Sequence, residues 1–481
     1  AGTPVAGTDY DLLSIGGSAN LSGDLTLKSV NGYLPVSGDA FSPIQYASIS
    51  TGQFQNINSI SSFDLSRTYG ATSLNLQFGD FAGVIWDGEA NDGNWLTAAN
   101  WSGNAVPTST DDVLIDVDTL NTVQLSQDVS LNSLTLGDGL VISGSTLSLQ
   151  SGSLVAGSLT LNSSTLSNSN SLDVSGDLNI TGSSTFSGTG SITTSGQTTI
   201  NDSDSLTSSS LTISGGKTWT NRGEITVAGN DFISFGSGAN TLVNASDGVI
   251  NLSSSLATPM SWAGVSNSTG TVSNAGVFKQ TLAGTHGLSS NLTFNNTGSV
   301  IAEAGTLSLS VSGTDSGTYQ ADGTAVIDFT GGSRNLTGNM TYAGTGSIKV
   351  SGATFNINDS ITLDSTDGAL TLSSGQLSGS NTLTTKGEIL VDDSATGDAG
   401  FVVNGGLNWT NEGVLTIGGD DALHFGSGDN TLTNASAGTL QLSSSNASPL
   451  TWDGVTGSSA TLNNAGLLKQ TVTGTHSISS G

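Results

Sequence analysis

The side chains able to do chemistry are few and unevenly typed. Of 38 acidic residues only five are glutamates (Glu89, Glu224, Glu303, Glu388 and Glu412), set against 9 lysines and arginines, 3 histidines and no cysteine. Glycoside hydrolysis needs two carboxyls flanking the scissile bond, one with a raised pKa. A repeat in the chain tests for such a pair. The text GGKTWTNRGEITVAGNDFISFGSGANTLVNAS returns as GGLNWTNEGVLTIGGDDALHFGSGDNTLTNAS, and Trp219 and Trp409 fix the offset at 190 residues. Across it Glu224 falls opposite Val414, Glu412 opposite Arg222, and Asp420–Asp421 opposite Asn230–Asp231. Neither glutamate is reproduced, and no cluster of basic residues stands beside grouped acids as a lyase would require. No catalytic residue is expected, and the chain reads as a non-enzyme.

Metal chemistry divides by ligand type. Zinc needs three or four converging ligands. His286 and His476 are the same residue of a repeated GTH triplet, so a stacked repeat places them on different coils, while His424 has Ser234 opposite it. Turn or surface roles are expected for all three. Without cysteine there is neither a thiolate site nor a disulfide. Calcium takes hard oxygen ligands, and TDDVLIDVD gathers Asp111, Asp112, Asp116 and Asp118 most densely. Calcium is thus the one ion the chain suits, with no other cofactor expected, although neither a GGxGxD nonapeptide array nor an EF-hand loop is present. Acids in contexts such as SGD and NDS read as turn formers that bond their own backbone.

Aromatic chemistry rests on seven tryptophans. Trp86, Trp95 and Trp101 lie in one segment; Trp219 and Trp409, and Trp262 and Trp452, are pairs at the repeat offset. Such rings stack on sugars or pack beneath a turn. Recurrence at equivalent positions points to packing, so all seven are assigned structural roles.

The elements that must position these residues are short strands. Between about Leu120 and Gly215 the chain reads SLTLGD, TLSLQSG, SLTLNSS, SLDVSGDLNITG and SITTSGQTTI. These are triplets of period-two burial punctuated by Gly, Ser, Asn and Asp. Their spacing is too short for βαβ crossovers. The predicted fold is all-β, a parallel β-helix or β-solenoid of roughly 20–25 residues per coil and about twenty coils, with Asn and Ser stacking as ladders at the turns. Hydrophobic residues make up 35% of the chain, and their alternation separates it from a disordered Gly/Ser tract. A β-sandwich array is the alternative, but it would use longer strands and more aromatics.

The net charge of −29 excludes a basic face for nucleic acid. No apolar run of spanning length occurs, so no membrane insertion is expected. The organisation divides into residues 1–83, a Trp-rich segment at 84–118, and a solenoid at 119–481 holding the long repeat, about 186–290 and 377–480.

Two passages carry a family resemblance. The first has Tyr10, Asp11, Leu13, Ile15, Gly17, Ala19, Leu21, Gly23 and Leu25, then Gly32, Tyr33, Pro35, Gly38, Asp39, Phe41 and Ile44, then Gly52 and Phe54. It resembles the closing segment of β-helices in bacterial autotransporter-type and giant exoprotein surface proteins. The second has Trp86, Gly88, Trp95, Asn100, Trp101, Pro107, Asp111, Asp112 and Val113, and resembles the opening segment of such modules. Together they cover under a quarter of the chain. The resemblance implies a secreted, extracellular β-helical protein of the bacterial cell surface, and it implies no activity. A closing segment ahead of an opening one, and repeats that stop at HSISSG, are read as a piece of a larger tandem protein. The expected function is a structural or adhesive solenoid, a stalk or filament that self-associates end to end and meets surface or matrix glycans. The alternative is a polysaccharide-active or glycan-binding β-helix.

Overall fold

In a computed structural model of the chain, which describes residues 5–8, 10–27, 33–58, 63–117, 122–202, 208–395, 397 and 400–478, alternating apolar triplets become stacked parallel strands. The protein is 56% strand and 1% helix, a β-solenoid of about 14 turns. It divides into two compact units, 1–198 and 199–481.

In the first unit, strands Leu13–Asn20, Ala40–Thr51, Ser73–Phe81 and Phe63–Tyr69 form a sheet in that order, with one parallel and two antiparallel pairings. Its core is Ala19, Leu21, Ile44, Tyr46, Leu74 and Leu76. Stacked coils begin at Asp112–Ile115, which lies on Val84–Ile85 and under Ser133–Leu136. Each later coil brings three short strands. Leu140 pairs with Leu159 and Leu159 with Leu178, so one coil takes 19 residues. Alternate side chains such as Leu147, Leu149, Leu166 and Phe186 point inward and are buried. Each apolar side chain buried this way contributes about 1.5–3 kcal/mol.

In the second unit the coils are longer and less equal. Trp219 pairs with Leu242, Leu242 with Val272, and Val272 with Phe294, steps of 23, 30 and 22 residues. The extra length leaves as loops outside the stacked strands. Fewer turns than the expected twenty follow from these long coils and from the mixed sheet formed by residues 13–81. The 190-residue repeat is kept in most of its strands: Thr218–Asn221 answers Asn408–Asn411, Ala239–Asn244 answers Asp429–Asn434, Val249–Leu252 answers Thr439–Leu442, and Val277–Gln280 answers Leu467–Gln470.

One corner of the coil repeats a specific device. Asn221, Asn244, Asn274 and Asn296 stack, each amide donating to the next side-chain carbonyl at 2.8, 2.7 and 2.8 Å. The second copy stacks Asn411, Asn434 and Asn464 at 2.9 and 2.8 Å. A glycine follows each asparagine by two or four residues. A Cβ at Gly276 would run into the Gly248 carbonyl oxygen, and one at Gly298 into that of Gly276. Only glycine lets successive backbones approach this closely.

Candidate functional site

The acids of the TDDVLIDVD passage are spent on turns and coil contacts. Asp111 Oδ2 accepts the Thr108 N–H at 2.7 Å and its hydroxyl at 2.8 Å. Asp112 Oδ1 accepts Asn132 Nδ2 at 2.7 Å and the Ser133 hydroxyl at 2.5 Å. The Asp116 carboxylate occupies the space a side chain at Gly137 would take. Asp118 lies outside the described residues.

A different acidic set converges. Among the described residues, Asp392, Asp393 and Asp421 bring carboxylate oxygens within 4.8 Å of one another. Two turns build it. Strand Thr382–Val391 runs out into Asp392–Asp393, and the next coil bends over them at Gly418–Gly419, where the Gly418 N–H donates to the Val391 carbonyl at 2.9 Å. Gly419 has φ +57°, and its missing side chain makes room for the Asp392 carboxylate. Asp421 is buried, and its Oδ2 accepts the Asp393 N–H at 2.7 Å; Asp420 accepts the Gly397 N–H at 2.7 Å.

The first copy holds the same turn with less charge. Asn201 and Asp202 stand where Asp392 and Asp393 do. Asp231, the counterpart of Asp421, accepts the Asp202 N–H at 2.8 Å and the Ser209 N–H at 2.6 Å. Burial pushes the Asp231 carboxyl up from its ordinary range, partly offset by those N–H donors. Three carboxylates supply hard oxygens but only part of the six to eight that calcium takes, so water would complete the shell. The buried member, Asp421, serves the turn, while Asp392 and Asp393 are partly exposed.

The tryptophans separate into two classes. Trp86, Trp95, Trp101, Trp219 and Trp409 are buried. Trp101 meets Trp86 and Trp95 edge to face, both at 4.8 Å between centroids, and its indole N–H donates to the Trp95 carbonyl at 2.7 Å. Around them Asn100 donates to Asp92 at 2.6 Å and accepts the Ala90 N–H at 2.9 Å. Trp86 N–H donates to Leu114 O and Trp95 N–H to Gln124 O, at 2.8 and 3.0 Å, which ties this cluster to the edge of the first coil. Trp262 and Trp452 are only half-buried, and at both positions the indole nitrogen is enclosed without a hydrogen-bond partner.

The histidines do not converge. His286 is buried, contrary to a surface role, with Nδ1 2.7 Å from Leu256 O and Nε2 3.0 Å from Ala283 O. His424 Nδ1 lies 2.7 Å from Asp453 Oδ1.

Two buried cations escaped sequence reading. Arg334 is 0% exposed and donates from Nε and Nη2 to the two Asp315 oxygens, both at 2.7 Å, and from Nη1 to Val311 O at 3.2 Å. The Tyr319 hydroxyl adds a third donor to Asp315 at 2.5 Å. Burial first, and the Asp315 charge second, hold Tyr319 well above the usual phenol range, so it remains a donor. Lys217 is also buried, where the second copy has Leu407; burial pulls its ammonium down to about 8.

Among the described residues no helix is long and apolar enough to cross a membrane. Compared with known proteins, the chain matches no family model, no curated protein and no solved structure.

Proposed function

We propose that the protein is a non-enzymatic structural solenoid, a stalk or filament segment of an extracellular bacterial surface protein that associates end to end. The observation that carries this reading is the duplication of whole coils. Strands, asparagine ladder and glycine corners recur together at one offset, while charged side chains such as Arg222, Glu224, Lys217 and His424 do not. What is repeated is the means of stacking, and what varies is the chemistry. A reaction needs one site held fixed, whereas reach, stiffness and avidity grow with each coil added. Secretion and the cell-surface location belong to the proposal and rest on the two resembling segments.

Electron microscopy of the purified protein, with and without a calcium chelator, tests it. Continuous fibres with a repeat of one chain are the expected result; fibres lost in chelator would make calcium part of the joint. Separate particles at every concentration would reject end-to-end association.

A second reading, glycan binding, is favoured by Trp262 and Trp452. They present the same half-buried ring twice, beside Val265 and Val455, which are 37% and 36% exposed. Titration of tryptophan fluorescence with oligosaccharides tests this, and an unchanged signal on replacing both rings with alanine would remove it.

A further inference from the structure

We propose that one face of the second unit, the outward side of the column of strands from Thr218 to Thr354, is an ice-binding surface. Its ligand is water in a lattice, met by two parallel rows of uncharged, mostly hydroxyl and amide side chains. This activity is separate from the structural role proposed above and does not depend on it.

The rows form only through strand register. Thr218 pairs with Thr241, Thr241 with Thr271, and Thr271 with Thr293. Ser312, Ser333 and Thr354 continue the row. Its steps are 23, 30, 22, 19, 21 and 21 residues, so no fixed period in the sequence marks it. Trp219, Leu242, Val272 and Phe294 alternate with the threonines and are buried, which leaves the threonines outward and at least partly exposed. A second row lies two residues along each strand, with Thr220, Val243, Ser273 and Asn295. It continues through Thr314, Asn335 and Asn356. Strand geometry spaces such side chains about 4.8 Å apart between coils and about 6.6 Å apart between rows, over a length of about 30 Å.

In a chain of net charge −29, neither row holds a charged or an aromatic side chain. The strand preference of threonine does not account for this, because it would fill every outward position alike. The neighbouring face, built from the next strand of the same coils, carries Glu224, Val249 and Val277 in one row and Asn251, Lys279 and Ile301 in the other. The hydroxyls also differ in use. Those of Thr281 and Thr297, just past strand ends, donate to carbonyls of the coil beneath at 3.3 and 3.4 Å. Among the described residues, those of Thr218, Thr241, Thr271 and Thr293 bond no protein group, so each keeps a donor and two lone pairs for water. Farther along, Asn356 donates to Ser333 Oγ and Asn335 Oδ1 at 2.7 and 2.8 Å, which ties the two rows together.

These features favour ice over a sugar chain. A hydroxyl that exchanges liquid water for a glycan hydroxyl gains only about 0.5–1.5 kcal/mol, so sugar sites add an aromatic platform, which this face lacks. A water lattice instead requires regular spacing in two directions and no charge to turn its dipoles. Threonine is stiff at χ1, so hydroxyl and methyl repeat at fixed positions along the row. The hydroxyl bonds lattice water, and the methyl excludes water of other orientations. Each contact is weak, and the number of rungs supplies the total.

The test grows ice slowly on a cold finger in a dilute solution of the whole chain and measures the fraction of protein taken into the ice. The expected result is at least fivefold enrichment over serum albumin. Thr271→Lys and, separately, Thr293→Lys place a charge in the middle of the face and should each reduce the enrichment at least fivefold. Thr226→Lys makes the same change on the neighbouring face and should leave it unaltered. Amide exchange of residues 218–296 matching the parent shows that a variant still folds. Enrichment no greater than that of albumin would overturn the inference, as would no loss in folded Thr271→Lys and Thr293→Lys, or an equal loss in Thr226→Lys. Retention on insoluble cellulose that Thr271→Lys abolishes, without uptake into ice, would overturn it in favour of a polysaccharide. Fibres formed by a chain that ice excludes would keep the structural role and reject this one.

Discussion

Asn274 and Asn464 are the same residue of the same repeat, yet one is sealed between coils and the other faces solvent. The first ladder runs from Asn221 to Asn296 and then meets Asp315, the next residue in register, which is locked to Arg334. The second runs from Asn411 to Asn464 and meets no further rung among the described residues. The two copies share their stacking groups and differ, among the described residues, in whether a further coil covers them. An asparagine's contribution is therefore set by its place in the column more than by its identity, since a buried amide left without a partner costs about 1–3 kcal/mol and an exposed one almost nothing.

The largest expected effect lies where the first ladder ends. Arg334→Met leaves the Asp315 carboxylate buried with no cation, a loss of about 3–5 kcal/mol. Asp315→Leu combined with Arg334→Met should recover most of it. Urea unfolding followed by amide exchange of residues 292–343 checks both, and a single variant as stable as the parent would show the pair to be dispensable.

Next come the rungs themselves. Asn244→Ala removes a 0% exposed amide bonded on both sides, with an expected cost of about 2–3 kcal/mol. Asn464→Ala should cost under about 0.5 kcal/mol, as surface changes do. Equal costs, read as local exchange protection, would break the contrast between sealed and open rungs.

A change of opposite sign follows at Lys217. Replacing it by leucine, the residue the second copy uses, should stabilise the first copy by about 1–2 kcal/mol at neutral pH. The folded ammonium titrates near 8, below the usual lysine value of about 10.4. The penalty is therefore complete below pH 8 and is relieved as pH rises toward 10.4, because the unfolded chain then holds more protons. Exchange protection of residues 218–252 in the parent should climb over that window and converge on the leucine variant.

The smallest effect concerns charge at the repeated turn. Three carboxylates converge at Asp392, Asp393 and Asp421, where the first copy has two and an amide. Millimolar calcium should slow exchange about twofold around 392–421 and less around 201–231, with the difference removed in Asp392→Asn, which gives the second copy the amide the first copy has at Asn201. Equal responses in both copies would mean diffuse screening alone.

Much of this contrast is legible in the sequence. Period-two triplets specify inward rows, and the gap-free offset specifies equivalent coils. Stacked asparagines follow from a column that must satisfy both donors and acceptors. The corner has its own signature, Asn-x-Gly in NRG, NAG, NTG and NEG, with NASDG and NASAG as longer forms, and it could have been used to count coils directly.

Other features are not local enough to read. Asp392, Asp393 and Asp421 come from turns of successive coils, so the densest acidic run in the chain drew attention to Asp111 and Asp112 instead. Arg334 sits in phase with inward Leu336, and one coil before it Asp315 lies opposite Leu336, with Gly313 opposite Arg334. A charge in an apolar phase looks like an error of register until its partner is found a full coil away. Residues 13–81 alternate as the coils do, and period-two burial serves antiparallel strands as well as parallel ones.

The constant offset has a consequence for how such a chain can change. Recombination between two blocks that match without a gap inserts or deletes whole coils and leaves every asparagine above an asparagine and every glycine above a glycine. Length can then drift between lineages in quantised steps without passing through a misfolded intermediate, while the loops and charged faces diverge freely.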